Sequence, residues 1–102
     1  MTASPHHKVR EDWLALGQEE TLAPEQPIFD CHHHLWDRPD GRYRAKELMA
    51  DVGSGHDVRA SLYVQCRTGY RDHGFESLRP VGEVETVLDW MRGQDWFPAG
   101  IV

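Results

Sequence analysis

Three short apolar runs begin near residues 28, 60 and 97, so that 32 and then 37 residues separate successive starts, with helical patterning between them. A strand followed by a helix and then another strand is the signature of a parallel α/β sheet, because parallel neighbours need a long crossover. The first run, Ile28-Phe29-Asp30-Cys31, predicts a strand reaching residue 32 or 33. Leu48, Met49 and Val52 then fall on one helical face, predicting a short helix over residues 45–52 that Gly53 closes. A second strand is expected over residues 60–66. From Pro80 onward Val84, Val87, Leu88 and Met91 recur at the spacing of a helix face, with Glu83 and Glu85 suited to the positive end of its dipole. Gly93 is expected to stop it, and a third strand is expected to start near Phe97.

Ahead of this alternation the chain reads differently. Residues 1–8 are polar and expected to be disordered, and Val9, Trp13 and Leu16 then mark one face of a short helix ended by Gly17. Ala23-Pro24-Glu25-Gln26-Pro27 is a proline-bounded linker that forces an extended approach to the first strand. Residues 1–27 are therefore expected to be an arm packed on the outside of a domain spanning residues 28–102.

The chemistry lies where the first strand ends. Residues 28–37 read Ile-Phe-Asp-Cys-His-His-His-Leu-Trp-Asp. Strand side chains alternate between faces, so His32 and His34 are expected on one side with Asp30, and His33 on the other with Phe29 and Cys31 turned toward the helices. Two imidazoles at i and i+2 can grip one divalent ion, and a catalytic zinc site takes about three protein ligands plus an open position. The same positions can also carry histidines that only hydrogen-bond within a core. Asp30 suits a residue that orients a ligand, since metal-binding histidines commonly donate their other N–H to a carboxylate or carbonyl. Trp36 can wall a pocket or simply pack.

The pattern Asp-x-His-x-His-x-Trp at a first strand resembles the amidohydrolase-related branch of the amidohydrolase superfamily, metal-dependent hydrolases of TIM-barrel fold that include sugar and carboxylic-acid lactonases. Trp13-Leu14 with Glu19-Glu20 and Pro27, Gly53-Ser54-Gly55-His56, Tyr70-Arg71 and Leu78-Arg79-Pro80-Val81-Gly82-Glu83 are similar to the same branch. The resemblance implies an N-terminal fragment of a (β/α)8 barrel, with about three strands and two crossover helices, because such a barrel needs roughly 250 residues and this chain has 102. It implies that His32 and His34 hold a divalent metal ion, zinc first, that Asp30, Trp36 and Gln65 lie around it or in the substrate pocket, and that the general base follows Val102. The implied function is metal-activated attack of water on a lactone, ester or amide carbonyl. A metal-dependent decarboxylase of the same fold and a catalytically inert fragment are the alternatives. Where the branch commonly has glutamate at the end of the second strand this chain has Gln65, whose amide can hydrogen-bond but cannot act as a base.

Composition limits the other readings. Seventeen acidic against 11 basic residues give a net charge of −6, and the basic residues are scattered, so no stripe suited to a phosphate backbone exists and a nucleic-acid partner is not expected. No apolar run is long enough for a membrane span or a signal peptide, so a cytoplasmic location and a small-molecule partner are the expectations. Cys31 and Cys66 fit buried strand positions better than a disulfide. His56 is expected at the end of the sheet opposite the site, His73 in a loop on the site's side, and His6 and His7 in the solvent-exposed tail.

Overall fold

The computed structural model describes residues 7–96 and 98–102. His6 and Phe97, and with them the expected disorder of residues 1–6, lie outside those residues. The chain is mixed α/β. Strands β1 (Pro27–His33), β4 (Asp57–Tyr63) and β5 (Gly100–Ile101) form a parallel sheet in the order β1-β4-β5. Helices α2 (Ala45–Val52) and α3 (Val81–Trp90) occupy the two crossovers. A short antiparallel hairpin, β2 (Trp36–Arg38) and β3 (Gly41–Tyr43), leaves the end of β1. Among the described residues no helix is long and apolar enough to cross a membrane.

The core lies between the sheet and the two helices. Leu35, Ala45, Leu48, Tyr63, Val87 and Met91 are buried there, each side chain contributing through the apolar area it removes from water. α2 follows its pattern: Leu48 is buried, Met49 and Val52 pack beside it, and the Glu47 carboxylate accepts the Arg44 N–H at 2.8 Å, half of a capping box. Gly53 caps the last turn. Gly93, at φ +86°, sits in the turn that follows α3.

Several expectations are corrected. The expected short helix of the arm is present as α1 (Glu11–Leu14), but its Trp13 and Leu14 are exposed with Val9 and Leu16, so the arm's apolar face is not buried among the described residues. One turn orders too few residues to offset its nucleation cost without a partner surface. The second strand starts three residues before the expected position, at Asp57, because pairing begins where Pro27 meets Asp57 and Ile28 meets Val58. Its faces are also reversed. Ser61 and Tyr63 point toward the helices, whereas Leu62, expected there, is exposed. A strand's alternation separates two faces without saying which one the helices cover, and here Tyr63 fills the core. Phe29, likewise expected beneath helices, is 70% exposed. β1 departs from regular pairing between Ile28 and Phe29 and again between Asp30 and His33, and each irregularity shifts the faces. The turn around Pro39 is present, but its flanking strands were not expected from so few residues. They are held by Trp36 stacked on Tyr43 at 4.9 Å. The described part of the third strand is limited to Gly100–Ile101. Both cysteines are free.

Candidate functional site

The end of β1 brings His32 and His34 together. Their Nε2 atoms lie 3.1 Å apart, with the rings edge to face at 4.9 Å. His34 Nδ1 lies 2.7 Å from the Val64 carbonyl. A carbonyl only accepts, so Nδ1 carries the proton and the Nε2 lone pair is left facing His32. The Asp30 carboxylate accepts the His32 backbone N–H at 3.1 Å, fixing the local turn of the strand. The irregularity between Asp30 and His33 does the rest: it puts His33 opposite Tyr63, with Asp30 opposite Ser61.

His33 therefore projects to the helix side. Its Nε2 is 2.8 Å from Ser61 Oγ and its ring stands edge-on to Tyr63 at 5.7 Å, while its buried Nδ1 has no partner among the described residues. Burial pushes the His33 pKa below its ordinary 6.5, although the charge of Asp30 pulls the other way. The folded chain thus binds this proton less readily than the unfolded chain. The contribution of His33 to stability is complete above 6.5 and is lost as pH falls below it. His33→Gln is expected to flatten that acid limb in thermal melts at a series of pH values; an unchanged limb would assign it to other groups.

Two nitrogens bonded to one ion at roughly 2.0–2.1 Å, and subtending about 90–110°, stand roughly 2.9–3.4 Å apart. The histidine pair fits that requirement in spacing and His34 fits it in tautomer, whereas the Nε2 of His32, which here donates to His34, would have to give up its proton and yield that place to the ion. Among the described residues no group of three histidine, cysteine, aspartate or glutamate side chains is placed to share an ion, so the pair stands as a partial ligand set. Asp30 does not join it by side chain; its carboxylate is taken up with the His32 backbone. Trp36 opens β2, with the Arg38 guanidinium 5.5 Å from its ring. Gln65 lies just past β4, exposed, its side-chain oxygen accepting the Tyr70 hydroxyl at 3.0 Å and its backbone N–H donating to the Val102 carbonyl. His56 precedes β4 at its far end, and His73 is exposed beside Asp72, apart from the pair.

One residue of the site's framework was not singled out from the sequence. Glu83, expected only to favour the helix dipole, is 2% exposed. Its carboxylate accepts the Tyr63 hydroxyl at 2.6 Å, the Cys66 N–H at 2.8 Å and the Arg67 N–H at 3.2 Å. Burial first, and this bond second, push the Tyr63 pKa far up, so the phenol stays protonated and donates. Thr68 Oγ1 donates to the Leu35 carbonyl at 2.6 Å, tying the segment after β4 to the segment after β1. Those two segments flank the histidine pair. The signal was available: Glu83, Val87 and Met91 lie at i, i+4 and i+8, a carboxylate on the core face of α3.

No family model, no curated protein and no solved structure matches this chain.

Proposed function

We propose that this chain is the N-terminal part of a metal-dependent hydrolase of the amidohydrolase-related type, built on a TIM barrel, in which His32 and His34 are two ligands of a divalent metal ion, zinc first. The observation that carries this reading is the 3.1 Å approach of two Nε2 atoms, one of them set as a lone-pair donor by the bond to the Val64 carbonyl. The parallel order β1-β4-β5, with a helix in each crossover, is compatible with the opening units of such a barrel. His32 and His34 would hold the ion, which when bound would supply Lewis acidity for a carbonyl and a more acidic water, the chemistry needed to open a lactone, ester or amide.

The residues of this chain supply binding and orientation. His34 is aimed by Val64, and His32 is steadied through its backbone by Asp30. Trp36 offers a rigid aromatic wall, already stacked on Tyr43, and Gln65 offers an amide to a bound small molecule. Neither Trp36 nor Gln65 can move a proton as a general base, and that task belongs to residues outside this set.

Titration of the chain with zinc or cobalt(II), followed by calorimetry and the cobalt absorption spectrum, tests the reading. Binding is expected in the parent and in His33→Ala, and its loss is expected in His32→Ala and His34→Ala. Each single change leaves one imidazole to hold the ion, and losing a ligand is expected to cost more than losing one of the outer partners that orient ligands, which typically costs roughly 10–100-fold. Retention of binding in the doubly substituted His32→Ala, His34→Ala chain would reject the pair as the metal site.

A further inference from the structure

We propose that a second feature, the cleft between Trp36 and Arg67, binds a small molecule carrying an oxyanion, a carboxylate or a phosphate, on a flat group. The cleft has a volume of about 210 Å³ and lies between β2 and residues 66–69, with Trp90 from the end of α3 beside them. It opens at the carboxyl ends of β1 and β4, where the crevices of open α/β sheets take ligands. That volume falls below the ~300–1,000 Å³ usual for ligand pockets, so the occupant is small.

Arg67 gives the cleft its chemistry. Its backbone is left-handed at φ +66°, a conformation that costs free energy for a residue with a Cβ. Glu83 sustains it, accepting the N–H groups of both Cys66 and Arg67 from a buried position. A shape maintained at a cost, next to a cavity, needs a reason. The charge pattern supplies one. In a chain of net charge −6, six of the nine arginines, Arg10, Arg42, Arg44, Arg59, Arg71 and Arg92, each face a carboxylate. The Arg67 guanidinium has no such partner among the described residues, although it lines the cleft.

The other cation of the wall, Arg38, lies with its guanidinium 5.5 Å from the Trp36 ring, and two further polar groups are already engaged. Asp37 faces Arg44, and the Thr68 hydroxyl donates to Leu35. An arriving anion therefore meets a planar fork of unused N–H donors, which matches a carboxylate or phosphate edge. Beside it stand two indoles held still, Trp36 by Tyr43 and by Arg38 at 5.5 Å and Trp90 under Arg44 at 4.5 Å, and a flat group packs against what these contacts leave open. Nothing in this inference requires His32 and His34 to hold a metal.

The test is tryptophan fluorescence of the full chain in chelator, titrated with benzoate, phenyl phosphate and neutral benzyl alcohol. Either anion is expected to quench and benzyl alcohol is not; the tighter anion identifies the oxyanion. Arg67→Asn and Arg67→Gly both tolerate the left-handed backbone, so each is expected to keep the thermal midpoint at or above the parent's while weakening the anion roughly ten- to hundredfold. Equal quenching by benzyl alcohol, equal affinity in the folded Arg67 variants, or no response to either anion would each overturn the proposal.

Discussion

Glu83→Ala is expected to destabilise the chain by about 3–5 kcal/mol, because it strands three hydrogen-bond donors at once. The physical reason is what remains. The buried Tyr63 hydroxyl and the partly buried N–H groups of Cys66 and Arg67 lose their acceptor, and a donor stranded away from water costs about 1–3 kcal/mol, the hydroxyl most. A small domain has only about 5–15 kcal/mol in total, so the loss takes a large fraction of it and should move the urea midpoint well below the parent's. Two milder changes separate the contributions. Tyr63→Phe removes one bond and keeps the ring in the core, so about 1–2 kcal/mol is expected; Glu83→Gln retains an acceptor and should fall between the two. Urea melts followed by circular dichroism give these differences directly. An alanine variant within about 1 kcal/mol of the parent would show that the carboxylate does not hold the segment after β4.

That network also marks where reading the sequence stops. Local signals worked wherever one element decides its own structure. Leu48, Met49 and Val52 with Gly53 placed α2 at Ala45–Val52, and the apolar run from Ile28 placed β1 to within a residue. The turn residues around Pro39 and the helix beginning after Pro80 were equally legible. What failed depended on partners distant in the chain. Alternation sets Ser61 and Tyr63 on one face and Leu62 on the other, but only the docking of α3 decides which face is buried. Phe29 illustrates the same limit, since an irregular pairing with β4 carries it to the uncovered side. The separation of His33 from His32 and His34 was anticipated from alternation, yet it is reached through an irregularity after Asp30, which takes Asp30 to the side opposite the one expected. The convergence of two Nε2 atoms needs Val64, 30 residues away, to fix one ring. No spacing rule contains that contact.

Gly82→Ala tests the remaining joint of the site, the seat of residues 69–71 on the start of α3. In an exposed helix this change gains up to about 1 kcal/mol, because glycine is the poorer helix former. Here the opposite sign is expected. A Cβ on Gly82 would stand 2.5 Å from the Gly69 carbonyl oxygen and 2.6 Å from the Arg71 nitrogen, both backbone atoms. Neither can swing aside as a side chain can. Arg71 N–H is committed to the Arg79 carbonyl at 3.0 Å, and Gly69 holds φ +68° against Thr86, so relief requires the whole segment to lift from the helix. Overpacking of this kind costs about 1–3 kcal/mol and more where backbone must move, which outweighs the gain in helix propensity. A net loss of about 2 kcal/mol lowers the thermal midpoint by roughly 8–16 °C in a domain of this size. Gly17→Ala serves as the control, since a Cβ there meets nothing within 4 Å, and it should leave the midpoint nearly unchanged. The lifted segment includes Gly69 and adjoins Arg67, so oxyanion affinity should fall with stability in Gly82→Ala, whereas in Arg67→Asn the two should part. A Gly82→Ala chain that melts higher than the parent would mean that the loop after β4 does not rest on α3, and the wall of the cleft would have to be sought elsewhere.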